Sequence, residues 1–174
     1  NPAKNDLVFN MRASNVTIQG IKTTGGKTGF WFDQSTVNGC TISNCIVDFV
    51  GENGIYMKNG GSGHTIDLCT ISNTGQTYTG APAILIENSL NVTVNGNTLN
   101  SISDKGIYVR VCSASSTAER VEVTGNIISG CAYPCIQVYQ SPYTIVDGNT
   151  ISSTVDKGIN IIGLNANSAA ERVE

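Results

Sequence analysis

Gly96-Asn97-Thr98-Leu99-Asn100-Ser101-Ile102-Ser103-Asp104-Lys105-Gly106-Ile107 and Gly148-Asn149-Thr150-Ile151-Ser152-Ser153-Thr154-Val155-Asp156-Lys157-Gly158-Ile159 are two copies of one pattern, 52 residues apart. The offset holds beyond them. Ala118-Glu119-Arg120-Val121-Glu122 returns as Ala170-Glu171-Arg172-Val173-Glu174, Pro82 as Pro134, and Gly54-Ile55-Tyr56 as Gly106-Ile107-Tyr108. Self-similarity at a fixed period is the mark of a repeat architecture, so it is read before any local propensity.

Each 52-residue unit holds two smaller ones. A small residue followed by an apolar–any–apolar triplet occurs at Gly29-Phe30-Trp31-Phe32, Gly54-Ile55-Tyr56-Met57, Ala83-Ile84-Leu85-Ile86, Gly106-Ile107-Tyr108-Val109, Cys135-Ile136-Gln137-Val138 and Gly158-Ile159-Asn160-Ile161, in steps of 25, 29, 23, 29 and 23 residues. A second element precedes each: Ile18-Gln19-Gly20, Val37-Asn38-Gly39, Ile66-Asp67-Leu68, Val94-Asn95-Gly96, Val123-Thr124-Gly125 and Val146-Asp147-Gly148. Both alternate with period two, which is strand patterning, and no stretch keeps a helical period. A 23–29-residue unit cannot bury its apolar stripe alone, whereas stacked units bury it continuously. The pattern predicts an all-β, parallel β-solenoid of about six coils, one domain over residues 1–174, with neighbouring coils ~4.8 Å apart.

Composition agrees. The 174 residues are 40% hydrophobic and 13% charged, with net charge -3. Nineteen glycines and as many asparagines suit short strands and tight turns. A charge-poor, slightly acidic chain is a poor match for a phosphate backbone, which argues against nucleic acid as the main ligand. No apolar run approaches the ~18 residues of a membrane span.

The carriers Val94-Asn95-Gly96-Asn97-Thr98-Leu99 with Gly106-Ile107-Tyr108-Val109, and their equivalents in every coil, resemble the right-handed parallel β-helix family. This is the pectate-lyase-like superfamily with PbH1-type repeats, as in NosD-like and disaggregatase-like surface proteins. The resemblance spans nearly the whole chain. It implies right-handed winding, in line with the general crossover preference, and an extracellular or cell-surface setting. The family holds polysaccharide lyases, glycoside hydrolases, epimerases, tailspikes and non-catalytic adhesins. No amphipathic capping helix is visible and another repeat begins at Ala170, so the expectation is a segment of a longer solenoid.

Stacking turns the alignment into ladders. Phe30, Ile55, Ile84, Ile107, Ile136, Ile159 and Phe32, Met57, Ile86, Val109, Val138, Ile161 are expected as inner columns. At the bend, Ile21, Cys40, Cys69, Asn97, Asn126 and Asn149 are aligned as one column, its last three forming an asparagine ladder. Cys40 and Cys69 are then one rung apart, as a disulfide or as stacked buried thiols. Cys131 and Cys135 share a loop and are a local pairing candidate, while Cys45 and Cys112 have no evident partner. One histidine makes zinc improbable. The chemistry calls for no cofactor, with calcium as the minority reading of Glu52, Asp104 and Asp156, which precede strand-opening glycines and are foremost turn residues. His64, after Gly60-Gly61-Ser62-Gly63, is either a turn residue or a general base. The pairs Thr41/Ser43, Thr70/Ser72 and Thr150/Ser152 fall in one outward column, interrupted by Lys22 and Ile127.

The outer face of the recurring triplet carries the functional candidates. Trp31, Tyr56 and Tyr108 lie in one outward column; Asp33, Lys58, Glu87, Arg110 and Tyr139 lie in the next. Aromatic faces stack on pyranose rings, and charges bind hydroxyls or uronate carboxylates. Opposite charges on adjacent rungs also stabilise a sheet without any ligand. As a lyase face, Lys58 and Arg110 would neutralise a carboxylate, and Tyr108 or Tyr139 would move protons; lyase branches of the resembled family use such residues, though no family motif fixes either cation here. As a hydrolase face, Asp33 and Glu87 are two rungs apart, ~9–10 Å, at the wide end of the inverting range; the Asp-rich motifs of the pectin-hydrolase branch are absent. Two functions are therefore expected: an extracellular protein binding or cleaving an acidic polysaccharide, or a structural solenoid of a surface, adhesin or fibre protein whose partners are further coils of the same or a longer chain.

Overall fold

A computed structural model describes residues 6–163. The chain winds through three parallel sheets in strict rotation. The first coils run β1 (Leu7–Met11), β2 (Thr17–Gln19), β3 (Lys22–Thr24), β4 (Thr28–Phe32), β5 (Thr41–Ser43), β6 (Ile46–Asp48), β7 (Ile55–Lys58), β8 (Ser62–Asp67) and β9 (Thr70–Thr74). They continue as β10 (Ile84–Glu87), β11 (Leu90–Asn95), β12 (Thr98–Ile102), β13 (Ile107–Arg110), β14 (Val121–Thr124), β15 (Ile127–Ser129), β16 (Ile136–Tyr139), β17 (Ile145–Asp147), β18 (Thr150–Ser152) and β19 (Ile159–Ile162). Every third strand pairs in parallel: sheet A has seven strands, from β1 to β19, sheet B has six, from β2 to β17, and sheet C has six, from β3 to β18. Among the described residues the one helical turn is a 3-10 turn at Thr117–Glu119. The parallel solenoid of about six turns is thus as the repeat predicts. The Ala170–Glu174 repeat lies outside the described residues.

The corners explain the asparagines. Turning between sheets without a helix needs residues in the left-handed region, which only Gly and Asn enter at little cost. Among the described residues six of the thirteen non-glycine residues with positive φ are asparagines: Asn15, Asn44, Asn59 and Asn88 at turns between strands, and Asn73 and Asn91 within β9 and β11. At the entry to sheet A the constraint is space instead. A Cβ on Gly106 would stand 2.5 Å from the Cys135 carbonyl oxygen and 2.8 Å from the Ile128 side chain.

The inner columns of sheet A are in the expected register, Ile84 against Ile107 and Ile55 and so along the stack. Phe30, Ile55, Ile84, Ile107 and Ile136 are fully buried. At the last described rung the two inner columns end on Ile159 and Ile161, which are 46% and 50% exposed. The stack also starts one rung earlier than the triplet alignment shows, because Phe9 on β1 pairs with Phe30 and stacks on it at 5.0 Å.

Coil two corrects the alignment at the bend. The strand of sheet B is Thr41–Ser43, so the turn is Asn44-Cys45 and not Gly39-Cys40. The column therefore reads Ile21, Cys45, Cys69, Asn97, Asn126, Asn149. Val37-Asn38-Gly39 matches the apolar–any–Gly pattern of the other coils, but at this bend Asn44 in coil two and Leu68 in coil three, at φ 50 and 53, take the conformation of that glycine. Each asparagine in this column accepts the corner N–H of the coil before it. Asn149 Oδ1 takes Asn126 N–H at 2.9 Å, Asn126 Oδ1 takes Asn97 N–H at 3.0 Å, and Asn97 Oδ1 takes Cys69 N–H at 2.9 Å. In Cys45 and Cys69 the thiol replaces the amide donor, facing Ile18 O and Ile42 O at 3.6 Å.

All six cysteines are buried free thiols. Burial pushes the Cys69 thiol up to about 12 and raises Cys131, beside Cys135, and Cys112 as well. Thr41/Ser43 lie on sheet B, whereas Thr70/Ser72 and Thr150/Ser152 lie on sheet C, so the single outward column expected for them does not form.

Candidate functional site

Strand alternation sends the second residue of each sheet A triplet outward, and parallel register stacks these residues along the solenoid. Asn10, Trp31, Tyr56, Leu85, Tyr108, Gln137 and Asn160 form one row. Lys58, Glu87, Arg110, Tyr139 and Ile162 form the row beside it, with Arg12 and Asp33 just past the ends of β1 and β4. All eight sequence candidates therefore share one face. Arg12 was missed because β1 precedes Phe30 by a step of only 21 residues, shorter than the recurring spacing.

Over four rungs the row reads Trp31, Tyr56, Leu85 and Tyr108, three aromatic rings with one leucine between Tyr56 and Tyr108. Trp31 and Tyr56 meet edge to face at 4.6 Å. Leu85 points outward yet is only 7% exposed, since its rung neighbours are Tyr56 and Tyr108. The Tyr108 ring has Lys105 Nζ 5.2 Å and Arg110 Cζ 5.9 Å from its centroid, and Lys105 is 5.4 Å from Tyr133 as well. Lys105 is a rim residue that the triplet alignment does not single out. Its ammonium is held by the buried Asp104 carboxylate at 3.1 Å, and Lys157 meets Asp156 at the same distance one repeat on. Glu52 faces Lys27 at 3.6 Å. Among the described residues no three His, Cys, Asp or Glu side chains converge on a metal position.

Glu87 is the hub of the charged row. One carboxylate oxygen accepts the Tyr56 hydroxyl at 2.7 Å and the other faces Arg110 Nη2 at 3.2 Å. Burial and then the hydrogen bond to Glu87 hold the Tyr56 phenol protonated well above its ordinary range. Burial raises Tyr108 too, against the opposing charge of Arg110. Asp33 is held below the usual carboxylate range by the Gln34 amide and by Arg12, whose guanidinium lies 3.5 Å away. Lys58, expected to flank Glu87 alongside Arg110, is exposed and makes no ion pair among the described residues.

His64 is elsewhere. It is buried on the inner side of sheet B, where Nδ1 accepts Cys40 N–H at 3.2 Å, Nε2 meets Gly60 O, and the ring packs against Phe32. Burial lowers its pKa, keeping the ring neutral. It is the counterpart of the asparagine ladder at another corner, and the general-base reading falls.

The family model for the right handed beta helix region matches residues 7–172, which include every strand described above. The chain belongs to the right-handed β-helix family. Among solved structures, this β-helix is similar to that titled "Crystal structure of alginate lyase from Paenibacillus sp. str. FPU-7", at 16% identity and a TM-score of 0.49, over 83% of this chain and 72% of that one. No curated protein sequence matches it.

Proposed function

We propose that this β-helix is an extracellular or cell-surface protein that binds an acidic polysaccharide along the outer face of sheet A. The observation that carries the reading is the adjacency of two rows: Trp31, Tyr56, Leu85 and Tyr108 beside Lys58, Glu87 and Arg110. Sugar rings stack on the first row while their carboxylates meet the cations of the second. Rungs ~4.8 Å apart approximate the length of one sugar residue, and a sheet orders these groups before the ligand arrives. Arg110 is bound to Glu87, so a uronate there exchanges one carboxylate for another.

The same geometry favours holding a glycan over cutting it. Tyr56 and Tyr108 are kept protonated, so neither is a ready base at neutral pH. Asp33 is turned to Arg12 and Gln34, and Glu87 to Tyr56 and Arg110, which leaves no pair of carboxylates facing across an open bond position.

The test is a panel of acidic and neutral polysaccharides, with wild type beside Tyr108→Ala and Arg110→Ala at two salt concentrations. Binding of acidic glycans that weakens with salt and in both variants is expected, without new reducing ends or unsaturated products. Equal behaviour of all three proteins, or no binding at all, would leave the paired charges as stabilisers of a structural solenoid.

A further inference from the structure

The corner from sheet A into sheet B holds a cleft of about 330 Å³, walled by Ser35, Asn59, Ser62, Asn88, Leu90 and Ser113. Asn59 and Asn88 directly follow Lys58 and Glu87, so the cleft borders the charged row. Its chemistry is different. No charged side chain lines it. The Asn88 amide donates to Asn59 Oδ1 at 2.7 Å, which fixes both side chains one above the other. Among the described residues nothing engages the Asn59 amide nitrogen, the Asn88 carbonyl oxygen or the hydroxyls of Ser35, Ser62 and Ser113.

We infer that this cleft is a second subsite that takes a neutral sugar unit. Three features select that class. None of the lining side chains offers an ionic group a counter-charge. Fixed amides and hydroxyls offer donors and acceptors together, matching sugar hydroxyls, which are both. Leu90 supplies one apolar wall for the C–H face of a ring. The volume is at the small end of the ~300–1,000 Å³ range of ligand pockets, suited to a single unit or a short branch and not to a long chain. Because the cleft borders the charged row, a glycan with an acidic main chain and neutral branches is the ligand that fills both. That last step rests on the proposed function; the neutral subsite does not.

The experiment separates the two. Protein labelled with ¹⁵N is titrated with mannohexaose, xylohexaose and maltohexaose, and separately with hexagalacturonate, at low and high salt. Side-chain amide signals of Asn59 and Asn88 report on the cleft, and the Trp31 indole signal reports on sheet A. The variants are Asn88→Gly/Ser113→Ala and Tyr108→Ala. Glycine is the proper replacement at position 88 because φ is 47° there, so the turn survives while the amide is lost. At least one neutral hexamer should shift the two asparagine signals, with an affinity that changes less than twofold with salt and falls at least tenfold in Asn88→Gly/Ser113→Ala. Tyr108→Ala should leave that binding unchanged. Asparagine signals unmoved by every neutral hexamer, or unaltered binding by the folded double variant, would overturn the subsite. Loss of hexagalacturonate binding alone would overturn only the sheet A reading.

Discussion

Asn126→Ala tests the ladder that spaces the coils. The Asn126 side chain is fully buried and makes four contacts: it donates to Val94 O at 3.0 Å and to Asn149 Oδ1 at 2.9 Å, and accepts Asn97 N–H and the Asn97 amide, both at 3.0 Å. Truncation affects these partners unequally. Asn149 Oδ1 keeps the backbone N–H of residue 126, and the Asn97 amide keeps Ile66 O. Val94 O loses its side-chain donor, and the Asn97 N–H is left unpaired inside the stack. At ~1–3 kcal/mol for each buried group left unsatisfied, the expected loss is about 4 kcal/mol. For a domain of this size that is a fall in Tm of about 8–16 °C, at ~2–4 °C per kcal/mol. Thermal unfolding followed by circular dichroism reads it, with urea unfolding as a second measure. The matched control is Asn100→Ala, on the outer face of β12, which should stay within about 0.5 kcal/mol of wild type. If Asn126→Ala melts within ~2 °C of wild type, the amide does not carry the corner N–H groups and the account of the bend is wrong.

Other outcomes follow from the same structure. Ile107→Asp, which puts a carboxylate into a fully buried column, should yield no folded protein; a soluble protein with the wild-type circular dichroism spectrum would mean that the inward phase of sheet A is misassigned. The Tyr56 pKa is raised in the fold, so its contribution is fully present below the unfolded value near 10 and is lost as pH rises above it. Stability should therefore fall above about pH 10, and Tyr56→Phe should flatten that fall in denaturation curves taken from pH 8 to 11; an unchanged slope would contradict the Tyr56–Glu87 contact. With six buried thiols and burial raising Cys69, Cys112 and Cys131, an aromatic disulfide reagent should titrate almost none in the native protein and six in urea. Prompt reaction of Cys131 or Cys135 would show that their loop opens.

The sheet A register was legible because one kind of residue repeats there under one constraint. Ile, Phe or Met must face inward on every rung, and period-two alternation then fixes what faces out, so Trp31, Tyr56, Glu87 and Arg110 could be placed together before any coordinates. The bend in coil two was not legible. Left-handed turns accept Gly, Asn and here even Leu68 at φ 53, so Gly39 was a stronger signal than the true turn at Asn44. His64 shows the same limit. Its chemistry invites a catalytic reading, and only its position, with the ring between Cys40 N–H and Gly60 O, makes it a structural acceptor.

By itself the sequence determined the solenoid, its coil length, its inner columns and the face on which aromatic and charged side chains gather. These depend on periodicity, which is a local property of the chain. Tertiary structure decided which charges pair. Glu87 binds Tyr56 and Arg110 while Lys58 makes no ion pair among the described residues, Arg12 joins the row through a first strand that the repeat spacing hides, and Asn59 and Asn88 wall a cleft. These outcomes depend on side-chain reach between coils 23–31 residues apart in sequence, and on corner geometry that a one-dimensional pattern does not encode.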